Sequence, residues 1–389
     1  MGRLNVGVIG VGFIGISHVD AIRRVSNLNL IAVADSNVEL AKQKAQEYNI
    51  PKCYDSIDEL MADNSIDVIH NCTPNNLHFE VNIKAIKAGK HVFSEKPLTM
   101  DVKESSELLA ILKQHPNVVA GVNYCYRMNP LVQDAKNRIT NGEIGKPLFI
   151  HGSYLQDWLL YDTDYNWRID PEYTGISRAI GDIGTHWLDL AQTMTSAKII
   201  DVCANTVIVH PKRKKPNNVT ETFAVNDDDD YTEVNIVTED YCGALLKFDN
   251  GASGVFQCSQ ASAGRKCFID IEVDGTEASY QWNHEHGDRM WKGLRNANNE
   301  EIMRNPNLMT PEAAQYTYLA AGHPEGWNDA FTYNLKAYYD FLMSGKKHGD
   351  STEDFATFDD AHYLMCLTEA LLKSAREERW VSVDEVEFK

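Results

Sequence analysis

The feature that most constrains the fold of this 389-residue chain is a glycine pattern close to its start, in the stretch GVIGVGFIG. An apolar, strand-like run (4–10) leads into Gly10, Gly12 and Gly15, and Asp35 ends the next apolar run, 20 residues after Gly15. A G-x-G-x-x-G turn between a strand and a helix, with a carboxylate at that distance, is the fingerprint of a βαβ unit that binds a dinucleotide. A plain glycine turn beside a solvated aspartate is the alternative interpretation, which the order and spacing disfavour.

Each residue of this pattern has a predicted role. Gly10 permits a tight turn, Gly12 lets the backbone approach a pyrophosphate, and Gly15 allows close packing of the helix, whose N-terminus favours an anion. Asp35 is expected to accept hydrogen bonds from the adenosine ribose hydroxyls. Because a carboxylate at that position repels a 2′-phosphate, the sequence predicts NAD as the cofactor and disfavours NADP.

The pattern of apolar and polar residues changes after about residue 123. Before it, nearly continuous apolar runs alternate with amphipathic helix-like segments, which indicates a parallel, doubly wound Rossmann sheet. After it, strand-like runs follow one another, which indicates an α+β domain that is mostly antiparallel. We therefore predict an α/β protein with an NAD-binding domain over 1–123 and a second domain over 124–389. The predicted strands are 4–10, 28–35, 66–72, 90–95, 117–123, 147–155, 198–209, 241–259 and 267–282, and the predicted helices are 13–25, 38–48, 78–89, 101–115, 328–343 and 356–377.

The charge balance and the cysteines exclude some classes of function. The chain has 37 basic and 56 acidic residues and a net charge of −19, which repels nucleic acid and anionic lipid surfaces. Its eight cysteines form no C-x-x-C motif and no cysteine–histidine pair at zinc spacing, so we expect reduced thiols, a cytoplasmic protein and no metal site. The N-terminal segment lacks the apolar core of a signal peptide, and no run approaches the roughly 18 apolar residues of a transmembrane helix.

Two charged segments of the second half are interpreted as solvated loops, PKRKKP (211–216) and NDDDD (226–230). A nuclear-localisation signal and a calcium loop are the alternatives for these segments. The ligand spacing of an EF-hand is absent from the second one.

Two polar turns follow strands of the predicted parallel sheet, in the stretches NCTPN (71–75) and EKP (95–97). Ligands bind at the carboxyl ends of the strands in such sheets, so Thr73 and Asn75 are expected to reach the nicotinamide-side ribose and phosphate. Lys96 emerges at the same edge, and a partly dry environment lowers the pKa of a lysine so that its amine exchanges a proton near neutral pH. An ordinary surface lysine before a proline turn is an equally open alternative.

A third pattern lies in GDIGTHWLDLA (181–191), where Asp182 and His186 are four residues apart. If the segment is helical, both side chains lie on one face, and the carboxylate can orient the imidazole for proton transfer. A metal-binding pair is one alternative, although no third ligand accompanies it at a recognisable spacing. A helix-capping Asp182 with a core His186 is the other alternative.

Taken together, these motifs resemble the Gfo/Idh/MocA superfamily, named after glucose–fructose oxidoreductase, inositol dehydrogenase and a rhizopine-catabolism protein. The glycine fingerprint, the T-P-N turn at 73–75, the E-K-P at 95–97 and the D-x-x-x-H at 182–186 occur in the order and spacing of that superfamily. The resemblance spans most of the chain and is strongest in the first 125 residues and over 181–191. It implies a Rossmann domain followed by a domain with a large, mostly antiparallel open sheet, often used for oligomerisation, so we expect a homodimer or homotetramer.

The resemblance also implies roles for single residues. Lys96 is the catalytic lysine, and Asp182 and His186 complete a catalytic trio. Trp327 is expected either to offer its ring to a sugar or to pack in the core. The residues predicted to contact the cofactor are Gly10, Gly12, Phe13, Ile14, Gly15, Asp35, Ser36, Thr73, Asn75, His78, Glu95, Lys96, Asn123, Trp167 and Arg168. The residues predicted to contact the substrate are Lys96, Tyr124, Arg127, Asp182, His186 and His323.

The implied activity is that of an NAD-dependent dehydrogenase. We expect it to oxidise a secondary alcohol of a sugar, a glycoside or a cyclic polyol, with Lys96 and His186 as the acid–base pair. A glycosidase or lyase that retains NAD and works by transient oxidation is an alternative, because it would use the same trio. A non-catalytic NAD-sensing regulator is a further alternative, but such relatives tend to lose the lysine or the histidine.

Overall fold

A computed structural model of the chain describes residues 2–217, 230–350 and 353–386, so residues 226–229 of the charged segment 226–230 lie outside it. The chain forms two compact units. The first consists of Met1–Cys125 and Trp327–Met365, and the second of Tyr126–Gly326 and Cys366–Lys389. These units differ from the predicted continuous division at residue 123 because a segment of the last third belongs with the first unit.

The first unit contains a seven-stranded sheet. Its strands are β1 (Leu4–Ile9), β2 (Leu28–Ala34), β3 (Lys52–Tyr54), β4 (Val68–Asn71), β5 (His91–Ser94), β6 (Ala120–Val122) and β17 (Ala356–Thr357). Its helices are α1 (Phe13–Arg24), α2 (Val38–Glu47), α3 (Ile57–Ala62), α4 (Asn75–Lys87), α5 (Val102–Lys113) and α10 (Trp327–Met343). The strand order is β17-β6-β5-β4-β1-β2-β3; β17 pairs antiparallel with β6, and the other neighbours pair in parallel. This is the predicted doubly wound Rossmann sheet.

Local sequence explains most of these elements. Val8 and Ile69, on the central strands, are fully buried, as expected for a parallel sheet covered on both faces. The helices α2, α3 and α5 begin after Asn37, Ser56 and Asp101, whose side chains accept a hydrogen bond from the backbone N–H three residues later. The strand β3 is not predicted because its three residues, KCY, are too few to show a period.

The second unit is built on a nine-stranded sheet. The strands of this sheet are β7 (Pro147–Leu155), β8 (Ile199–Val207), β11 (Tyr241–Phe248), β12 (Ser253–Ser259), β13 (Phe268–Gly275), β14 (Ala278–Asn283), β15 (Arg289–Leu294), β16 (Glu300–Met303) and β18 (Val381–Ser382). The strands β9 (Lys212–Pro216) and β10 (Tyr231–Asn235) form a separate two-stranded sheet. Its helices are α6 (Pro130–Thr140), α7 (Pro171–Thr174), α8 (Thr185–Thr195) and α9 (Pro311–Ala314), and α11 (Phe358–Glu377) runs across the division between the units. The sheet order is β16-β15-β14-β13-β7-β12-β11-β8-β18, antiparallel except between β7 and β12, which confirms the predicted fold class. In the described ranges, no helix combines the length and the apolar character needed to cross a membrane.

This sheet has one covered face and one open face. On the covered face, Ile150 and Ile271 are fully buried, and α8 packs against β7 and β13. The opposite face carries Phe149, Val255 and Leu245, which are 55%, 53% and 49% exposed. We call this second surface, with its neighbouring residues, the open face.

The prediction of a solvated loop over 211–216 is wrong, because Lys212–Pro216 forms β9 and pairs with β10. Arg213 is 1% exposed and lies 2.8 Å from Asp240, and its guanidinium also donates to the carbonyl oxygens of Leu159 and Tyr161. A buried arginine needs such partners. They come from distant parts of the chain, so the local composition could not indicate them.

Candidate active site

In the first unit, the glycine turn joins β1 to α1 as the sequence predicts. Gly10 has φ of +88°, a left-handed conformation that glycine adopts without strain. A Cβ on Gly10 would lie 2.4 Å from the carbonyl oxygen of Cys72, and one on Gly15 would lie 1.9 Å from the carbonyl oxygen of Gly10. At Gly12, by contrast, no described atom lies within 4 Å of a Cβ placed there. The turn is therefore tightly packed at Gly10 and Gly15 and open at Gly12.

The start of α1 fits a bound anion. The first turn of α1 contains no acidic residue, and within the described ranges no side chain caps it, whereas Asn37 caps the next helix. Backbone N–H groups at such an end, together with the helix dipole, attract negative charge. Phe13, 63% exposed, and Ile14 are the first residues of this helix. The open turn and the uncapped helix together fit the pyrophosphate of a dinucleotide.

Asp35 reaches the glycine turn from the end of β2. Its Oδ2 accepts a hydrogen bond from the backbone N–H of Val11 at 2.8 Å, and its Oδ1 accepts one from that of Asn37 at 2.8 Å. Ser36 follows, with its hydroxyl 3.5 Å from Asp35 Oδ1. Because each carboxylate oxygen has two acceptor positions, Asp35 retains the capacity to accept a ribose hydroxyl as well.

His78 of α4 links the two polar turns at the carboxyl edge of the parallel sheet. Its Nδ1 lies 2.6 Å from the carbonyl oxygen of Pro97, and its Nε2 lies 2.8 Å from that of Thr73. Burial lowers the pKa of His78, although the bonds to these carbonyls oppose that effect. Asn71 shapes the first turn by accepting from the Thr73 hydroxyl at 2.7 Å and donating to Asn82 at 2.8 Å. The fingerprint turn and the T-P-N turn also touch, through Gly10.

Glu95 and Lys96 follow β5, and the Lys96–Pro97 peptide bond is cis. Glu95 is 5% exposed, while Lys96 is half-buried. Glu95 Oε1 accepts from Asn123 Nδ2 at 2.6 Å and lies 2.9 Å from His18 Nε2, and its Oε2 accepts from the Lys96 backbone N–H at 3.1 Å. Burial alone would raise the pKa of Glu95, but the bonds from His18 and Asn123 and the charge of Lys96 lower it. Glu95 is therefore a buried carboxylate at neutral pH.

In the second unit, Asp182 lies on a π-helical turn, Ile180–Gly184, that runs into α8. The predicted helix through 182–186 therefore has a wider first turn than an α-helix. Glu239 Oε1 accepts from the backbone N–H groups of Arg178 at 3.0 Å and Ile180 at 2.9 Å, which fixes the start of this turn. The backbone N–H of Asp182 in turn donates to the Arg178 carbonyl oxygen at 2.7 Å.

Gln260 and Arg168 contact the Asp182 carboxylate. Gln260 Nε2 donates to Asp182 Oδ2 at 2.7 Å, and Arg168 Nε lies 3.7 Å from Oδ1. Gln260 is fully buried, and Arg178 donates to its Oε1 at 3.3 Å, which directs the amide NH₂ towards Asp182. The Arg168 guanidinium lies 4.4 Å from the ring centroid of Trp167. The predicted pair Trp167 and Arg168 thus lies in the same cluster as Asp182.

His186, in the first turn of α8, is set among aromatic rings. It is 8% exposed, and its ring centroid lies 4.9 Å from that of Tyr126, edge to face, and 6.2 Å from that of Tyr154. The two tyrosine hydroxyls are 3.0 Å apart, and each lies 3.2 Å from Cys267 Sγ. Burial raises the pKa of Tyr154 well above its ordinary value, so its hydroxyl stays protonated. His284 flanks Tyr126 on a further side at 4.8 Å.

Sequence reasoning missed Tyr126, Tyr154, Gln260 and Cys267. These residues lie on separate elements and share no spacing with the D-x-x-x-H motif, so no local signal could have found them. Only Tyr154 lies within a strand, β7, whereas Tyr126 lies on a short 3₁₀ turn and Gln260 and Cys267 lie next to the ends of β12 and β13.

The remaining predicted residues lie in different settings. Arg127 is 7% exposed and forms a bidentate pair with Asp189, with Nε 3.0 Å from Oδ2. Tyr124 is fully buried, and His323 is exposed on the loop before α10. The first unit holds Gly10, Gly12, Phe13, Ile14, Gly15, Asp35, Ser36, Thr73, Asn75, His78, Glu95, Lys96, Asn123 and Tyr124. The second holds Arg127, Trp167, Arg168, Asp182, His186 and His323.

One group of metal-ligand types occurs among the described residues, on the open face. His151, Glu272 and Asp274 lie with their ligand atoms within 4.8 Å of one another, and all three are partly exposed. Exposed acidic groups of this kind are common without a metal, so we assign the group no role.

Comparison with known proteins agrees with this geometry. Residues 4–124 match the model of the oxidoreductase family with an NAD-binding Rossmann fold (GFO_IDH_MocA), and residues 132–281 match that of the GFO/IDH/MocA C-terminal domain. A levoglucosan dehydrogenase of Pseudarthrobacter phenanthrenivorans is 28% identical over 99% of this chain and 100% of its own length. The scyllo-inositol 2-dehydrogenase (NAD(+)) of Bacillus subtilis is 30% identical over 71% of this chain and 73% of its own length.

Solved structures give the same result. A levoglucosan dehydrogenase in complex with NADH and levoglucosan superposes with a TM-score of 0.87 at 26% identity, over 98% of this chain and 99% of that one. The resemblance inferred from the motifs is thereby confirmed. The chain belongs to the Gfo/Idh/MocA family of NAD-binding oxidoreductases, and it is a nicotinamide-dependent dehydrogenase of the class predicted from its sequence.

Proposed function

We propose that this dehydrogenase oxidises a secondary alcohol of a sugar, a glycoside or a cyclic polyol, with NAD as the hydride acceptor. The observations that carry the proposal lie in the second unit, where Gln260 and Arg168 hold Asp182 and where the imidazole of His186, four residues further along the chain, is buried. A carboxylate and an imidazole arranged in this way suit proton transfer to and from a hydroxyl. The relatives named for levoglucosan and inositol, both rich in secondary alcohols, support this substrate class.

The first unit would hold the cofactor. The N-terminus of α1 and the backbone at Gly12 suit the pyrophosphate, and Asp35 suits the adenosine ribose. Thr73 and Asn75 lie at the carboxyl edge of β4, where the nicotinamide-side ribose is expected. Ser36, His78, Glu95 and Asn123 stay predicted contacts of the cofactor, as do Trp167 and Arg168 of the second unit.

In the proposed reaction, the C–H bond of the carbinol breaks with its electron pair, and this hydride goes to the nicotinamide, which is the chemistry that the cofactor supplies. The amine of Lys96 accepts the hydroxyl proton, with His186 as its acid–base partner. Asp182 orients His186, and Gln260 and Arg168 hold Asp182. Tyr124, Arg127 and His323 stay predicted contacts of the substrate.

The catalytic assignment is tested by two substitutions, Lys96→Met and His186→Ala. Loss of a positioned acid or base lowers turnover by roughly 10²–10⁴-fold, so we expect losses of that size with NADH binding retained. Lys103→Met, which removes an exposed lysine on α5, is the matched control. A loss of only a few fold in either site variant would remove that residue from the mechanism.

The substrate is tested by screening the purified protein with NAD against free sugars, glycosides and inositols. We expect stoichiometric formation of NADH with at least one of them. Cleavage of a glycoside without net NADH would instead identify the NAD-retaining glycosidase or lyase.

The preference for NAD rests on Asp35. NADH should bind more tightly than NADPH by about tenfold or more in a fluorescence titration, because a carboxylate near a 2′-phosphate is repelled. Asp35→Ser should lower the ratio of the two affinities, whereas Asp20→Ser, which removes an exposed carboxylate from α1, should leave it unchanged. Tighter binding of NADPH by the unaltered protein would refute the assignment. We also propose a reducing, cytoplasmic location, which the eight free cysteines support.

A further inference from the structure

Four buried side chains of the first unit form one continuous hydrogen-bonded chain. The hydroxyl of Tyr339 lies 2.7 Å from His70 Nε2, His70 Nδ1 lies 2.7 Å from His18 Nδ1, and His18 Nε2 lies 2.9 Å from Glu95 Oε1. Both histidines and Tyr339 are fully buried, and Glu95 is 5% exposed. These residues come from α10, β4, α1 and the end of β5. We call the set the buried histidine chain.

When both imidazoles are neutral, such a chain has two self-consistent directions, and an imidazolium at His18 would give a third arrangement. Each neutral imidazole has one N–H and one acceptor nitrogen, so the direction of one bond fixes the next. If Glu95 is ionised, His18 donates through Nε2, His70 donates to His18 through Nδ1, and Tyr339 donates to His70. If Glu95 is protonated, every bond can reverse.

Two donors around Glu95, which do not depend on the direction of the His18 bond, favour the ionised form. Besides the bond to His18, Oε1 accepts from Asn123 and Oε2 accepts from the Lys96 backbone N–H. The amide of Asn123 cannot simply turn over, because Asn334 Nδ2 donates to its Oδ1 at 3.0 Å. Carboxylates that accept several hydrogen bonds are held in the charged form.

The far end of the chain agrees with this direction. Burial, together with the neighbouring His18, holds the pKa of His70 well below its ordinary value, so its ring is neutral. Burial also raises the pKa of Tyr339 well above its ordinary value, so its hydroxyl keeps the proton that it donates. Phe93 and Phe331 enclose the two imidazoles, with ring centroids 4.9–6.0 Å away. The chain therefore ends inside the unit, and its role is to hold a geometry.

Apolar residues would fill this space without the desolvation cost of four polar groups. Stability alone therefore does not explain the buried histidine chain. We propose that His18, His70 and Tyr339 are positioning residues that orient Glu95 to accept the hydrogen bond from the Lys96 backbone N–H. Through Glu95 they fix the position of Lys96. The inference rests on the proposed role of Lys96 and adds three residues that act on it through Glu95.

The direction of the chain is tested by ¹⁵N NMR of the whole protein labelled at histidine, with His18→Gln and His70→Gln spectra for assignment. We expect His18 as the Nε2–H tautomer and His70 as the Nδ1–H tautomer at neutral pH. The reverse pair of tautomers, or an imidazolium at either position, would overturn the inference. This result does not depend on any substrate, so it can fail while the proposed dehydrogenase activity stands.

The functional part is tested with two adjacent tyrosines. Tyr338 and Tyr339 are both fully buried, but the Tyr338 hydroxyl donates to the Val119 carbonyl oxygen at 3.1 Å and lies outside the chain. Tyr339→Phe should lower kcat by about fivefold, the size of one hydrogen bond, and shift the His70 ring signals, with the Kd for NADH unchanged. Tyr338→Phe, which also loses one buried bond, should change none of these.

Equal losses of kcat in the two tyrosine variants, or an unchanged kcat in Tyr339→Phe, would show that the buried histidine chain only contributes to packing. Either result would overturn the proposal. If Tyr339→Phe does not fold, the tautomers of the unaltered protein still decide the direction. Failure of the proposed function would give a different result. Lys96→Met would then keep the turnover of the unaltered protein, while the tautomers of His18 and His70 would still be as expected.

Discussion

At the scale of single residues, His284 couples stability to pH. Its ring lies beside Tyr126, and burial lowers its pKa to about 4. As the pH falls below the ordinary histidine value of about 6.5, the unfolded chain takes up a proton that the folded chain accepts only near pH 4. This residue should therefore lower the free energy of unfolding by up to about 1.4 kcal/mol per pH unit across that window.

Urea denaturation at several pH values between 7 and 4 measures this effect. His284→Gln should show a shallower decline of the unfolding free energy than the unaltered protein. His286→Gln, at an exposed position on the same turn, is the control and should keep the full decline. Parallel curves for all three proteins would contradict the prediction.

The structural setting of a residue could be predicted from the sequence where the signal is local. It could not be predicted where it depends on partners far away along the chain. The close packing at Gly10 and Gly15 and the place of Asp35 beside the glycine turn follow from spacing within one βαβ unit. His18 and His70 interrupt apolar patterns, but their partners lie 52, 77 and 269 residues away along the chain. A buried polar residue shows that a partner exists and leaves its identity open.

At the scale of elements, different glycines of the strand–turn–helix fingerprint should determine stability and cofactor binding. Gly15→Ala should lower the free energy of unfolding by about 1–3 kcal/mol, because the new Cβ meets a backbone oxygen that cannot move aside. Gly12→Ala meets no described atom, so it should leave stability within about 0.5 kcal/mol while weakening NADH binding. Urea unfolding without cofactor and a fluorescence titration with NADH measure the two effects. NADH binding by Gly12→Ala equal to that of the unaltered protein would refute the assigned role of the turn.

Most helices and long strands follow from hydrophobic period and capping residues, and the exceptions have physical causes. The strands β3, β17 and β18 contain two or three residues, too few for a period. The strand β9 is held by the buried Arg213, and the π-helical turn at Asp182 is held by Glu239, each through contacts with distant segments. Tertiary contacts of this kind override local preference.

At the scale of the whole molecule, the open face supports the expectation of a homodimer or homotetramer. Val255 and Leu245 are cross-strand neighbours, and both are about half exposed. Contiguous exposed apolar side chains of this kind mark interaction surfaces. Val255→Lys combined with Leu245→Lys should lower the mass measured by light scattering after size exclusion. Val237→Lys, 68% exposed on a loop, should not. A monomeric unaltered protein would contradict the expectation.

The segment Trp327–Met365 has a consequence for how the protein is made. It supplies β17 to the edge of the Rossmann sheet and α10 to the side of α1, and a Cβ on Gly121 would lie 3.0 Å from the rings of Tyr338 and Phe355. The ribosome must therefore synthesise the 201 residues from 126 to 326 before all segments of the first unit are available to fold together. We therefore expect a nascent chain that ends at residue 125 to leave the β6 edge of the Rossmann sheet and one side of α1 uncovered.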